Sequence, residues 1–248
     1  MTQVPSARLP REWALCALAA AASRFVPVPL LDDAIKDRAT RTAVARTWHA
    51  HGRADSPATI DVLCAGTSGF WTGVGSTVAR LPLTLLLYPV RKPVRIVTAV
   101  RGVGRDLAEV LLLARAVDRC LTSGWFGTTE PGELRRQAVL VRAAHEQTVA
   151  STDLRVLEHG MRAALRRVGG LGRHAREFAR VTFGRDAATP APDEGIPVAD
   201  GSVERGVQQV EATLARPDVV GLLADLDRRF DAALLARAGA PPPVLGSR

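Results

Sequence analysis

The chain has 248 residues, of which 47% are hydrophobic, 4% aromatic and 23% charged, and its formal net charge is +8. This composition is globular and excludes an intrinsically disordered chain, and the length suffices for one full core or for one domain with an appendage. Abundant alanine, leucine, valine and arginine, with few aromatic residues, favour helix over sheet. We therefore predict an all-α fold, a multi-helix bundle with a C-terminal helical hairpin after a flexible linker.

The first predicted helix covers residues 9–24 and is rich in alanine. Its apolar run follows Arg8 and Arg11 and so resembles a secretory signal peptide, but Glu12 lies against the apolar part. We interpret the stretch as a helix of the fold and keep a signal peptide as the alternative.

A second helix follows the prolines of VPVPLLDD, with Asp32 and Asp33 in its first turn and Gly52 just beyond its end. A short helix over 57–64 comes next, with Ser56 as its N-cap. The second helix is predicted to bury Leu31, Ile35, Ala39, Thr42, Val44 and Trp48 and to expose Lys36, Arg38, Arg41 and Arg46.

Residues 81–90 form a nearly uncharged block, LPLTLLLYPV, which a basic hinge with Arg91, Lys92 and Arg95 follows. A spanning helix needs roughly 20 apolar residues, and extending the block upstream to that length places Arg80 inside the span. Three interpretations stay open at this point: a buried core helix, an interfacial segment and a transmembrane helix.

A long helix with one apolar stripe is predicted after the hinge, because apolar residues recur at steps of three and four between Val97 and Leu121. Gly102 and Gly104 each weaken such a helix by about 1 kcal/mol relative to alanine, which indicates a kink or the close approach of another helix. The candidate contacts with a membrane or another anionic surface are Tyr88, Arg91, Lys92, Arg95, Arg101 and Arg105.

Further helices are predicted between residues 128 and 183. Thr128 or Thr129 caps the first, the second starts near Thr152, and the third, over 171–183, carries a basic stripe typical of a solvated face.

The chain divides by composition into a helical bundle over 1–185, a linker rich in proline, aspartate and glycine over 186–201, a hairpin over 202–238 and a tail over 239–248. Ser202 is the predicted cap of the first hairpin helix. The hairpin is expected to dock on the main body or on a partner. The candidate docking residues are Leu222, Leu226, Phe230 and Leu234.

Cys16, Cys64 and Cys120 are isolated and show no C-x-x-C spacing, which is typical of reduced thiols packed in the core of a cytosolic protein. His49 and His51 form the closest histidine pair, but their spacing does not match a zinc helix motif. The sequence therefore predicts no metal and no cofactor.

No short motif points to catalysis. The glycine-rich stretch 66–76 lacks the lysine of a phosphate-binding loop, and no nucleophile elbow is present. His145–Glu146 and Glu158–His159 could meet across an antiparallel helix pair, but the Glu-x-x-His pattern of di-metal bundles is absent. We predict a protein without enzymatic activity and without a small-molecule substrate.

The run VPVPLLDD, the basic helix that ends in HG and the later LPLTLLLYPVRKPVR resemble poorly characterised bacterial helical proteins that are loosely similar to the EcsC family. Trp125, Phe126 and Gly127 belong to the same pattern. The resemblance covers the first half of the chain. It implies helices packed near a membrane, and it carries no catalytic residues.

Three functions fit these features. The first is a non-enzymatic helical protein, cytoplasmic and peripheral to the membrane face, or a scaffold there, because residues 80–105 hold six positive residues and no acidic one. The second is a soluble adaptor that binds a partner, or a second copy of itself, through its C-terminal helices. The third is a non-specific nucleic-acid binder that uses the arginines of 162–185, which the scarcity of aromatic residues disfavours.

Overall fold

The computed structural model describes residues 9–25, 31–53, 57–64, 96–166, 173 and 201–239. Within these ranges the chain forms eight α-helices and no strand, which confirms the predicted all-α bundle. The helices are α1 (Leu9–Ala22), α2 (Leu31–Ala50), α3 (Pro57–Cys64), α4 (Ile96–Thr122), α5 (Pro131–Ala150), α6 (Arg155–Arg166), α7 (Gly201–Leu214) and α8 (Pro217–Ala238), and a 3₁₀ turn (Ser23–Phe25) follows α1.

Two of the predicted helix starts are corrected by the structure. Glu130, not a threonine, caps α5, because its carboxylate accepts hydrogen bonds from the backbone N–H groups of Gly132 (3.1 Å) and Glu133 (2.6 Å). These two hydrogen bonds hold the pKa of Glu130 below its usual value. Helix α7 already begins at Gly201, so Ser202 lies inside the helix and is not its N-cap.

Helix α1 is a core helix. It packs against α2, α4 and α7, and eleven of its fourteen residues are buried. Its alanines let neighbouring helices approach closely, and Trp13 Nε1 donates a 2.8 Å hydrogen bond to Thr47 Oγ1 of α2. The alanine-rich stretch is therefore packed against neighbouring helices of the described structure.

Helix α4 is the second organising element. It contacts α1, α2, α5 and α6, and the apolar stripe that the sequence predicts is buried in the bundle from Leu107 to Val117. The buried members of that stripe include Leu107, Val110, Leu111, Ala114 and Val117.

The core consists of two neighbouring clusters of apolar side chains. One joins α1 to α6, α7 and the N-terminal parts of α2, α4 and α8. The other joins α3 and α5 to the C-terminal parts of α2, α4 and α8. The second cluster contains Trp48 and Phe126, whose ring centroids lie 4.8 Å apart, and the guanidinium of Arg53 lies 5.3 Å from the Trp48 ring centroid.

Helix α2 is buried more completely than its sequence predicts. Ile35, Ala39 and Trp48 are buried as expected, but Arg46, predicted to face solvent, is only 4% exposed. A guanidinium nitrogen of Arg46 lies 3.6 Å from Glu12 of α1. The arginine is accommodated between helices because a carboxylate lies beside it.

The two C-terminal helices pack on the rest of the bundle more than on each other. Helix α7 lies against α1 and α6, and α8 lies mainly against α5. Leu226, Phe230 and Leu234 are 4–5% exposed, and Leu222 is partly buried against the core. In this conformation these side chains pack against the chain's own helices. This is docking on the main body, one of the two alternatives that the sequence leaves open. Apart from Gly201 and Gly239, the predicted linker and tail lie outside the described residues.

Helices α4 and α6 cross at Gly104. A Cβ atom at this position would lie 2.5 Å from the carbonyl oxygen of Glu158, whereas a Cβ atom at Gly221, in the second turn of α8, would have nothing within 4 Å. Of the two alternatives that the sequence leaves open at Gly104, a kink or the close approach of another helix, the structure shows the close approach.

Alanine at these two glycines should have opposite effects on the free energy of unfolding. Gly104→Ala forces the backbones of α4 and α6 apart, and we expect a loss of about 1–3 kcal/mol, as for other overpacked sites. Gly221→Ala causes no clash and reduces the conformational entropy of the unfolded chain, so it should raise the free energy of unfolding by about 0.5–1 kcal/mol. Urea unfolding of both variants tests this; an unchanged or raised stability of Gly104→Ala would contradict the crossing.

Candidate functional site

Most of the predicted anion-contact residues lie outside the described part of the chain, namely Tyr88, Arg91, Lys92 and Arg95. Arg101 lies in the second turn of α4. The side chain of Arg105 is 67% exposed, and its Nε donates a 2.9 Å hydrogen bond to Glu109 Oε1, which raises the pKa of the guanidinium. The structure thus places one of the six side chains, and this one is exposed and paired within its own helix.

The arginines in the second half of α4 are neutralised by α8. Arg115 donates two hydrogen bonds to the carboxylate of Asp227, at 3.0 and 2.7 Å. Arg119 does the same to Asp231, and this hydrogen bond raises the pKa of the Arg119 guanidinium. Such fork-to-fork pairs fix orientation as well as charge. The arginines in the second half of α4 are therefore paired with α8, whereas Arg105, in the first half, is paired with Glu109 of α4 itself.

A buried ion network lies where the 3₁₀ turn, α2 and α4 meet. Asp106 is 2% exposed and accepts hydrogen bonds from Arg24 and from Lys36 Nζ, the latter at 2.7 Å. Lys36 Nζ also donates to Glu109 Oε2 at 2.7 Å. Burial lowers the pKa of Lys36, but the two carboxylates more than offset this and the net shift is upward. The lysine that the sequence assigns to the solvent face is thus partly buried and charged, and it lies between two carboxylates of α4.

A larger cavity opens beside this network. We call it the charged cleft; its volume is about 640 Å³, and it lies between α4, the second half of α5 and the start of α6. It is lined by Lys36, Arg105, Glu109, Leu113, Arg142, His145, Glu146, Val149, Ala150, Thr152, Asp153, Leu154, Arg155 and Glu158. Four cationic and four anionic side chains line it, so its formal charges balance when His145 is neutral.

His145 is the most unusual group in the charged cleft. It is 8% exposed, and no hydrogen-bond partner is found for its ring among the described residues. Burial, reinforced by the nearby Arg142 guanidinium, lowers the pKa of His145 to about 3. At neutral pH the ring is therefore uncharged, with one nitrogen that can accept a hydrogen bond and one that can donate.

The structure partly bears out the predicted meeting of histidines and glutamates across helices. His145, Glu146 and Glu158 line the same cleft, but His159 is exposed and does not contribute. Within the described ranges no three histidine, cysteine or carboxylate side chains are grouped to hold a metal ion.

A second, smaller cavity of about 440 Å³ follows the seam between α4 and α8. The two Arg–Asp pairs form part of its wall, together with Trp125 and Leu234. Trp125 is 6% exposed, and its Nε1–H has no hydrogen-bond acceptor in the described structure.

The three cysteines lie in the core, as predicted. Burial raises the pKa of the Cys16 and Cys64 thiols to about 12, and it raises that of Cys120 as well. They are protonated at neutral pH and are poor nucleophiles.

Sequence reasoning missed the network around Asp106, although two signals were visible. Lys36 is one of only two lysines in an arginine-rich chain, and Asp106 and Glu109 interrupt the apolar stripe of α4. A carboxylate inside an apolar stripe indicates a buried partner, but periodicity does not name it.

The chain matches no known protein family, no characterised protein and no solved structure at a significant level. The resemblance to EcsC-like proteins stays a hypothesis from sequence. None of the described helices has the length and apolarity to cross a bilayer, and residues 71–90 lie outside the described part.

Proposed function

We propose that the protein is a non-enzymatic helical bundle that binds peripherally to the anionic, cytoplasmic face of a membrane, or serves as a scaffold there. The contact is assigned to the segment around Tyr88, Arg91, Lys92 and Arg95, together with Arg101 and Arg105 at the start of α4.

The observation that supports this proposal is the concentration of positive charge in the sequence just before and at the start of α4. Arg115 and Arg119 are held by aspartates of α8, whereas the stretch from Arg80 to Arg105 contains six cations and no carboxylate. In the sequence, four of these cations precede α4 and adjoin the apolar block 81–90. Lysine and arginine near an anionic lipid surface contribute about 1 kcal/mol each.

Vesicle flotation tests the proposal. The intact chain should float with vesicles that contain phosphatidylglycerol and remain behind with vesicles of phosphatidylcholine alone. Replacing Arg91, Lys92 and Arg95 with glutamine should weaken binding by about 3 kcal/mol, roughly a hundredfold.

A matched control removes three charges elsewhere. Arg135, Arg136 and Arg228 are exposed, and glutamine at all three positions lowers the net charge equally. This control should bind like the unchanged chain. Equal flotation with both lipids, or equal weakening by both triple variants, would contradict a localised contact.

The adaptor alternative has less support, because Leu226, Phe230 and Leu234 are buried against the bundle. The nucleic-acid alternative depends on arginines that lie mostly outside the described residues and stays a prediction.

A further inference from the structure

Two polar side chains of the charged cleft, His145 and Glu158, make no hydrogen bond or ion pair with the described residues, although the charge of Glu158 acts on nearby Arg105. Three of the cleft's four cations are engaged: Lys36 with Asp106 and Glu109, Arg105 with Glu109, and Arg142 Nε with Glu146 at 2.7 Å. The fourth, Arg155, points mostly into solvent, with its Nε 3.8 Å from Asp153 Oδ1. His145 has no hydrogen-bond partner and Glu158 no ion-pair partner among the described residues. In a cleft whose formal charges balance, these two side chains therefore offer a ligand a hydrogen-bond acceptor and a carboxylate.

We propose that the charged cleft binds a small organic cation with a primary ammonium group, which donates hydrogen bonds to the His145 imidazole and to the Glu158 carboxylate. An ammonium group carries three donors and no acceptor, and so it complements a neutral imidazole nitrogen and a carboxylate. The alkyl part of the ligand would lie along Leu113, Val149 and Leu154, which line the same cleft.

Several observations favour this class over others. An anion would have to compete with carboxylates that already hold Lys36, Arg105 and Arg142. A metal ion lacks a group of three ligands in the described structure. The volume of about 640 Å³ falls in the range of small-molecule sites. The lowered pKa of His145 keeps the ring uncharged, so it does not repel a cation.

The test is a titration of the full chain with n-butylamine hydrochloride at neutral pH. Binding is measured by calorimetry or by the line broadening of the ligand's proton resonances. Sodium butanoate and 1-butanol, of similar size, serve as anionic and neutral probes. We expect saturable binding of the ammonium probe only.

Two variants localise the binding. Glu158→Gln should weaken n-butylammonium binding at least tenfold, whereas Glu211→Gln, outside the cleft on α7, should leave it unchanged. His145→Leu should also weaken n-butylammonium binding, provided that the circular dichroism of this variant matches that of the parent. If His145→Leu does not fold, Glu158→Gln keeps the test decisive, because Glu158 is only partly buried. Absent binding, equal binding of butanoate, or an unaltered affinity in Glu158→Gln would overturn the proposal.

Discussion

Asp106→Asn should destabilise the fold by about 3–5 kcal/mol, the largest effect that we expect from a single substitution. The carboxylate is 2% exposed and holds Arg24 and Lys36. With asparagine at this position, Lys36 keeps only Glu109 as its partner and Arg24 loses its hydrogen-bonded carboxylate, while the neutral amide balances neither charge at a buried position. Urea unfolding at neutral pH measures the loss.

Asp225→Asn is the matched control for this experiment. Asp225 pairs with Arg228 and Arg229 on the surface of α8, where such pairs contribute about 0–1 kcal/mol. A double-mutant cycle of Asp106→Asn with Lys36→Met should show a coupling energy of about 1–3 kcal/mol. Similar losses at Asp106 and Asp225 would show that the network has no special role.

His145 should make the protein lose stability at mildly acidic pH. Its pKa is about 3 in the folded chain against an ordinary value of 6.5 in the unfolded chain. Between these values the unfolded state binds an extra proton, so stability is full above pH 6.5 and falls as the pH falls toward 3. From pH 7 to pH 5 this single group should cost about 2 kcal/mol.

The comparison with a variant isolates this contribution from that of the carboxylates. His145→Gln should lose about 2 kcal/mol less than the parent between pH 7 and pH 5, whereas His159→Gln should lose as much as the parent, because His159 is exposed in the folded chain. Identical pH profiles for the parent and His145→Gln would contradict the burial of a neutral imidazole.

The boundaries of several helices could be predicted because they depend on local chemistry. Proline at the first position of α3 and α8, and a glycine with a positive φ just after α2 and α8, are visible in the sequence. The apolar stripe of α4 follows from spacing alone.

The pairing of faces could not be predicted, because periodicity says which side of a helix is apolar and not which helix covers it. Arg115 and Asp227 are 112 residues apart, and nothing local to either residue indicates the other. The burial of Lys36 and Arg46 in α2 has the same origin, since each is accommodated by a carboxylate from a different helix. The charged cleft depends on these pairings. The sequence could indicate only that His145 and Glu158 can lie near each other across a helix pair.

The two proposals use different parts of the chain and can fail separately. Membrane binding depends on the cations ahead of α4, whereas ammonium binding depends on side chains of α5 and α6. Loss of either activity in its own variant should leave the other intact.

Hydrogen exchange of the intact chain with and without anionic vesicles tests the membrane proposal most directly, because it reports where contact occurs. We expect phosphatidylglycerol vesicles to slow exchange in peptides that cover residues 80–105, phosphatidylcholine vesicles to have no effect, and peptides of α7 and α8 to be unchanged in both. Slowed exchange confined to α7 and α8, or no change in residues 80–105, would contradict the proposal.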